Sequence, residues 1–352
     1  MPQAAQPTEV HIGAQVRTLE QEYITLADMN PHAFGDVVEP YRFELQAHCY
    51  RLLGTIQDAE DMVQETFLRA WNRRVTYTED ASVRAWLYKI ATNICLDTLK
   101  KHRRRAIPAT FQAVSSAEEP IPSAIMEPVW LDPYPDELLA WGGDQPEQAV
   151  LRLESVQLAL LAALQRLPPR QRAVLLLSDV FDGRLSEIAG MLNTTVSAVK
   201  SALHRARTTL AEDHYSWRTE DYSAHSADAD MKAQLEKYVL AWESADVDAL
   251  INLLRDDATF SMPPIPSWYQ GKDSIGRLVS NTVFAGAARG RWRLQPTRAN
   301  GQPAFGLYRR AETGAYDAYG IQVVTVHGGL IADIITFRNS GLAARFNLPA
   351  HL

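Results

Sequence analysis

Three sets of residues in this sequence have types and spacings that could do chemistry. Tyr77, Trp86 and Tyr88 are interleaved with Arg84 and Lys89, and the stretch ends in Lys100, Lys101, Arg103, Arg104 and Arg105. Rings in such a setting stack on unpaired bases, at roughly 1–3 kcal/mol each, while the cations hold phosphates. Taken one at a time, the same residues also fit a helix with aromatic core positions and a basic end that complements its dipole. Farther on, "VSAVKSALHRARTTL" puts Ser197, Lys200, Ser201, His204 and Arg207 on one helical face and Val196, Val199, Leu203 and Leu210 on the other. The polar face suits phosphate and base-edge contacts; the plainer alternative is a helical hairpin with a solvated basic face. The third set, Asp317, His327 and Asp333, holds groups that serve as general bases. His327 precedes Gly328-Gly329 at an expected turn, which favours an exposed position, and neither aspartate has a partner identifiable in sequence.

Those residues need elements to hold them. With 352 residues the chain has room for two or three domains. The pattern is helical from Pro31 to Arg105, broken at Pro40, Gly54 and "TYTEDAS". Within it "DAEDMVQETFLRAW" starts with Asp58 as N-cap candidate, turns Val63, Phe67 and Ala70 to the core and projects Asp61, Gln64 and Glu65. That acidic face is either solvated or meets a basic protein partner, since it would be misplaced against phosphates. A second helical block runs from about Pro146 to Asp213. There Pro168-Pro169 opens a helix, Asp182-Gly183 turns, "LSEIAGML" is a short helix capped near Ser186, and Asn193-Thr194-Thr195 turns into the helix that follows. Two helices joined by so short a turn are a helix-turn-helix, whose second helix enters the major groove. The third block opens with an amphipathic helix (Leu235, Val239, Trp242) and continues as strands, with Gly328-Gly329 as a hairpin turn.

Charge is distributed unevenly under a net −7. Residues 40–105 carry 12 Lys/Arg against 8 Asp/Glu, whereas residues 106–146 carry none against 7. Inside that acidic stretch "MEPVWLDPYPDELLAW" adds Pro128, Pro133 and Pro135 to Trp130, Tyr134 and Trp141. The prolines keep the backbone extended and present the aromatics with little conformational freedom left to lose, so the stretch expects a groove. A small plug packed on one of the helical blocks is the alternative. Cys49 and Cys95 lie far apart in helical patterns and are expected as buried thiols in a reducing compartment. No run is long and apolar enough for a membrane span, and the N-terminus lacks the pattern of a secretory signal. The expected location is the cytoplasm.

"HCYRLLGTIQDAEDMVQETFLRAWNR" followed by "ASVRAWLYKIATNICLDTLKKHRRR" resembles region 2 of the sigma-70 family, extracytoplasmic-function (ECF) class. "LQRLPPRQRAVLLLSDVFDGRLSEIAGMLNTTVSAVKSALHRARTTL" resembles its region 4. The resemblance implies that Asp61, Gln64 and Glu65 grip the β′ clamp helices of core RNA polymerase. It implies that Tyr77, Ser82, Trp86, Tyr88, Lys89, Asn93, Asp97, Arg103, Arg104 and Arg105 meet −10 DNA, and that Ser197, Lys200, Ser201, His204 and Arg207 meet −35 DNA. Ala198 and Ala202 stand where larger polar residues are common in the family, so the −35 sequence does not carry over. "WLDPYPDELL" resembles a linker motif of sigma factors with an extra C-terminal domain; the expectation set beside it is that Trp130, Leu131, Pro133, Tyr134 and Pro135 dock, on polymerase in one state and on that domain in another.

Residues 231–352 resemble a SnoaL-like, polyketide-cyclase-like domain of the NTF2-like superfold. The expected fold class is thus multi-domain: two all-α sigma domains and a C-terminal α+β cone. The expected boundaries are a flexible 1–30, region 2 at 31–105, the linker at 106–146, region 4 at 147–213, a second linker at 214–230 and the SnoaL-like domain at 231–352. Trp242, Phe260, Met262, Trp268, Tyr319 and Phe337 are candidates to line the cone's pocket, with Tyr269 beside them. No acid–base set is evident, so no enzyme, cofactor or metal is expected. The expected function is promoter recognition and transcription initiation with core RNA polymerase, including contact with its β subunit. The C-terminal domain acts as a built-in regulator through contacts with the sigma regions or linker. The alternative is a small-ligand sensor, or an isomerase- or cyclase-type enzyme, fused to the sigma factor.

Overall fold

Capping side chains set the helix starts in the first block. Asn30 accepts a hydrogen bond from the Ala33 amide at the head of α1 (Pro31–Val38). α2 (Arg42–Leu53) follows and stops at Gly54, whose φ of +87° is left-handed and whose amide reaches the Tyr50 carbonyl at 2.7 Å. Thr55, and not Asp58, caps α3 (Ile56–Arg73), because its hydroxyl accepts from the Asp58 amide. Asp58 thereby falls in the first turn, where its carboxylate is free to pair with Arg105 at 2.6 Å. Ser82 caps α4 (Val83–Leu99). Leu45, Leu52, Val63, Leu87 and Ile94 form the core of these helices. This structure is a computed structural model that describes residues 25–78, 81–101, 105–125, 130–140, 157–212, 228–286 and 288–352.

The acidic linker contributes two single-turn helices, α5 (Pro108–Phe111) and α6 (Glu137–Ala140). The second block then supplies α7 (Leu158–Arg166), α8 (Pro169–Asp179), α9 (Leu185–Met191) and α10 (Val196–Glu212). Asp182 and Asn193 take the positive φ values, 59° and 49°, that the two turns need. At the head of α9 the Glu187 carboxylate accepts from the Arg184 amide, so Arg184 and not Ser186 is the cap. α9, the turn and α10 form the helix-turn-helix read from the sequence.

The third block begins with α11 (Asp228–Ser244) and α12 (Val247–Leu253). A six-stranded sheet follows, made of β1 (Leu254–Ser261), β2 (Trp268–Gln270), β3 (Trp292–Ala299), β4 (Gln302–Arg310), β5 (Tyr316–His327) and β6 (Leu330–Phe337). α13 (Lys272–Asn281) lies between β2 and β3, and α14 (Leu342–Arg345) follows β6. Strand order is β2-β1-β6-β5-β4-β3, with β1 and β6 parallel and the other pairs antiparallel. Gly328 and Gly329, both at positive φ, close the β5–β6 hairpin as the sequence predicts.

Alternation gives the sheet two apolar faces. The inner one packs Trp242, Tyr238, Phe260, Phe305 and Leu307 under the helices. The outer one packs Ile321, Val323, Phe337 and Phe346 together with Leu158 from α7, while Ile107 of the linker lies partly buried against it. The sheet is therefore covered on its outer side partly by the sigma-like half of the chain. Among the described residues no helix is long and apolar enough to cross a membrane.

Candidate functional site: the linker junction and the recognition helices

The linker's sticky stretch is buried between the first and third blocks. Leu131 and Tyr134 are fully buried, and Trp130, Pro133 and Pro135 are buried as well. Leu131 donates its amide to Ala106 (3.0 Å) and Asp132 donates to Gly54 (2.9 Å), so this segment runs across the end of α2. A side chain at Gly54 would overlap Leu131 Cδ2. The Tyr134 ring lies 4.5 Å from that of Tyr50, whose hydroxyl donates to the Asp132 carbonyl at 2.6 Å.

One residue of the third block completes the junction. Asn300 sits in the two-residue turn between β3 and β4 at φ +57°, followed by Gly301 at +73°. Its Oδ1 accepts from the Tyr134 amide (2.7 Å) and its own amide donates to the Tyr134 carbonyl (2.9 Å). Its Nδ2 donates to the Tyr50 hydroxyl at 3.0 Å. Asp136 accepts from the Gly301 amide (2.7 Å) and pairs with Arg298 (3.1 Å). Pro135 forms a bridge with Ala299, so the linker touches the edge of β3. Burial pushes the Asp132 carboxyl up to about 6, against the pull of Arg105, and burial likewise raises Asp136. Asn300 was missed in sequence, although Asn-Gly between two strand-like runs is a strong hairpin signal.

The earlier part of the linker lies along the third block. Trp268 donates its indole N–H to the Gln112 carbonyl (2.9 Å), Ser115 donates to Trp268 (2.8 Å) and Ile125 to Pro264 (2.9 Å). Glu118 pairs with Arg277 at 3.2 Å.

The residues assigned to −10 DNA divide into three groups. Tyr88 is buried, 4.4 Å from the Phe181 ring of the second block, and the Arg84 guanidinium lies 4.6 Å over Phe181 while pairing with Glu44. Asn93 donates to the carbonyls of Lys89 (2.7 Å) and Met191 (3.1 Å), the latter at the end of α9. Arg172 of α8 adds a hydrogen bond to the Leu52 carbonyl. Trp86 is half-buried, its ring tilted against that of Tyr77 at 5.1 Å, while Ser82, Lys89 and Asp97 are exposed. Arg105 is the third case: it is 5 % exposed and turned to Asp58, because it starts the linker's path across α2 and α3. Arg103 and Arg104 lie outside the described residues, as does Trp141.

The faces assigned to polymerase and −35 DNA are open. On α3 Asp61 and Gln64 are exposed, Glu65 pairs with Arg69 at 2.6 Å, and Leu68 is 60 % exposed. Their neighbour Glu60 pairs with Arg345 of α14. On α10 Ser197, Lys200, Ser201 and His204 are exposed, and Arg207 is exposed while paired with Asp179 at 2.8 Å.

The cone's interior differs from the expected pocket. Trp242, Phe260 and Met262 are buried in the inner core, Trp242 standing edge-on to Phe284 and Trp292, with Tyr319 packed 5.2 Å from Trp292. Phe337 lies on the opposite face of the sheet, since its position on β6 has the other parity, and Trp268 holds the linker. These six residues therefore do not surround one cavity. A groove of about 660 Å³ opens elsewhere, between α11 and β3–β4, lined by Leu235, Val239, Leu294, Pro303, Phe305 and Arg298. His327 is exposed at its turn. Asp317 is exposed and bonded to His351 at 2.8 Å; Asp333 accepts from Thr259, and burial raises it to about 6. These groups are not brought together. Cys49 and Cys95 are buried free thiols. Among the described residues no cluster of His, Cys, Asp or Glu could hold a metal.

Residues 37–105 match the Sigma-70 region 2 family, 157–210 the Sigma-70, region 4 family and 235–334 the SnoaL-like domain. The chain is 38% identical to ECF RNA polymerase sigma factor SigG of Mycobacterium tuberculosis over 93% of its own length and 86% of that protein's. It is 31% identical to ECF RNA polymerase sigma factor SigW of Bacillus subtilis over 51% of this chain and 87% of the other. Among solved structures, Mycobacterium tuberculosis extracytoplasmic function sigma factor SigJ has a similar fold, with TM-score 0.58 and 23% identity over 89% of this chain and 99% of that one.

Proposed function

Because this chain belongs to the ECF sigma factors of the sigma-70 family, which partner core RNA polymerase and direct it to promoters, we propose that its packed arrangement is a resting state that refuses −10 DNA. In this state region 4 and the SnoaL-like domain together hold the −10 helix closed, and the linker is the latch. The observation that carries the proposal is Asn93: its amide group is engaged by the Met191 carbonyl, and Tyr88 beside it lies under Phe181. Neither group can meet a base until α9 leaves α4. The linker junction opposes that departure, since Asn300 ties Tyr134 and Tyr50 into one network.

In the working state the linker is released to polymerase. Its acidic groups suit basic channels that otherwise hold nucleic acid, and Trp130, Leu131 and Tyr134 become available for a new groove. Asp61, Gln64 and Glu65 then serve the β′ clamp helices. Tyr77, Ser82, Trp86, Tyr88, Lys89 and Asn93 serve −10 DNA, and the exposed face of α10 serves −35 DNA. The protein acts in the cytoplasm. It is a transcription factor, and the SnoaL-like domain regulates without catalysis.

Asn300→Ala in the full chain is the test. It removes the side-chain hydrogen bonds that Asn300 makes with the Tyr134 amide and the Tyr50 hydroxyl, and touches none of the DNA-facing residues. The expected result is a gain of severalfold in binding to a single-stranded −10-type oligonucleotide in the presence of core polymerase. Unchanged DNA binding together with an unlatched linker, read from tyrosine fluorescence, would refute the latch. A second reading, in which a small ligand works the latch, is favoured by the groove beside α11, because Arg298 both lines it and pairs with Asp136.

A further inference from the structure

The groove between α11 and the β3–β4 hairpin is walled on one side by a single helix face. Lys232, Leu235, Glu236 and Val239 stand at i, i+3, i+4 and i+7 of α11, and all four line it. Opposite them lie Leu294 and Phe305, both buried on the inner face of the sheet. Leu235 and Val239 are only half-buried, so their apolar surface is in place and partly wet. The volume of about 660 Å³ falls in the range of small-molecule sites, roughly 300–1,000 Å³. Among the described lining residues Lys232 and Arg298 are cations and Glu236 is the one acid.

Two observations select the occupant. The first excludes an extended peptide. β3 is an edge strand, but its open side has no run of free backbone groups. The Leu294 amide donates to Glu243 at 3.3 Å, Pro296 has no amide to offer, and the Arg298 carbonyl accepts from the Asp136 amide at 3.3 Å. The second observation is that Arg298 already holds a carboxylate. Its Nε donates to Asp136 Oδ2 and its Nη2 to the Gly301 carbonyl, each at 3.1 Å, while its Nη1 has no hydrogen-bond partner among the described residues. A guanidinium fork matches a carboxylate in two-pronged geometry. We infer that the groove binds amphipathic monocarboxylates, with an apolar body on Leu235, Val239 and Leu294 and the carboxylate on Arg298 in place of Asp136. The groove is continuous with the linker junction through that one guanidinium, so ligand and linker compete for it. By linkage, a ligand that weakens the hold on Asp136 is itself weakened by Asp136 to the same degree. The inference deepens the reading in which a small ligand works the latch, and the experiment lets either fail alone.

The test is calorimetric titration of the full chain with octanoate, decanoate and dodecanoate, and with decanol as the body without the charge. Two added methylenes are expected to tighten binding about fifteenfold, and decanoate to bind about tenfold more tightly than decanol. Arg298→Gln should remove the preference for decanoate over decanol, while Arg298→Lys, which keeps the charge and controls for folding, should retain part of it. Leu235→Gln should weaken both ligands alike. Asp136→Asn, which removes the competing carboxylate, should tighten decanoate severalfold. Decanol binding as well as decanoate to the wild type, or an unchanged preference in Arg298→Gln, overturns the site as an apolar patch only. A decanoate affinity that Asp136→Asn leaves unaltered overturns the competition for Arg298. The same samples are then titrated with the −10-type oligonucleotide in the presence of core polymerase. Decanoate that binds with all these signatures and leaves strand capture unchanged supports the site and refutes the reading in which a ligand works the latch.

Discussion

At Gly54 a left-handed φ and a close approach coincide, and the linker depends on both. The +87° conformation disfavours any side chain, and the space one would need holds Leu131 Cδ2. Gly54→Ala is therefore expected to loosen Leu131 and to cost about 1–3 kcal/mol of stability, read as a lower unfolding midpoint in urea. Asp132, one residue on, makes the same junction sensitive to pH. Its docked carboxyl titrates at about 6, raised from 3.8 chiefly by burial. A raised carboxyl favours the docked state most below the undocked value, and that contribution is lost as pH climbs through 6. The difference of about two units corresponds to on the order of 3 kcal/mol. Linker docking should thus be tighter at pH 5 than at pH 7.5, and Asp132→Asn should flatten the dependence; hydrogen exchange of the Leu131 and Tyr134 amides at the two pH values checks it.

Elements were the most legible scale in the sequence, and the reasons are local. Both turns of the helix-turn-helix and the Gly328-Gly329 hairpin follow from residues that accept positive φ, so neighbouring side chains sufficed to place them. The cap of α3 was read three residues late because Asp58 and Thr55 are both good caps, and only the pairing of Asp58 with Arg105 across the block decides between them. The cone's interior was not legible: alternation along β6 cannot tell which face a given aromatic takes when both faces are apolar, so Phe337 was placed inside. Ser82 illustrates a residue with two duties. Its hydroxyl caps α4 at the Ala85 amide, 3.2 Å away, and its position is among those assigned to −10 DNA. Ser82→Ala is expected to cost about 1 kcal/mol of stability. Ser82→Asp should keep the cap while repelling DNA. Comparing unfolding midpoints with −10 oligonucleotide binding for the two variants separates the duties.

Across the whole molecule the two proposed nucleic-acid faces and the proposed polymerase face are not treated alike. The −10 helix is covered by the second block, through Phe181 and Met191, and the outer sheet face closes over Leu158 of the same block. On α3, by contrast, Asp61, Gln64 and Leu68 remain exposed, and the C-terminal domain meets the helix at Glu60, through Arg345. No linear pattern foretold this asymmetry, since it arises from contacts between residues more than ninety positions apart, such as Asn93 with the Met191 carbonyl and Arg172 with the Leu52 carbonyl. It has a direct consequence for what the latch controls. A state that engages Asn93 but leaves Asp61 and Gln64 exposed should dock on the clamp helices without opening, and should fail at the later step of holding unpaired −10 bases. Loosening the latch then changes DNA binding by the cost of opening, whereas docking on polymerase has no such cost to lose. Asn300→Ala is accordingly expected to leave the affinity for core polymerase within about twofold of the wild type while raising −10 strand capture severalfold. Parallel titrations of the full chain and the variant against core polymerase, then of each complex against the oligonucleotide, measure both. A polymerase affinity that rose together with strand capture would mean that the resting state also hides the clamp-binding face, and that α14 rather than α9 is the decisive cover.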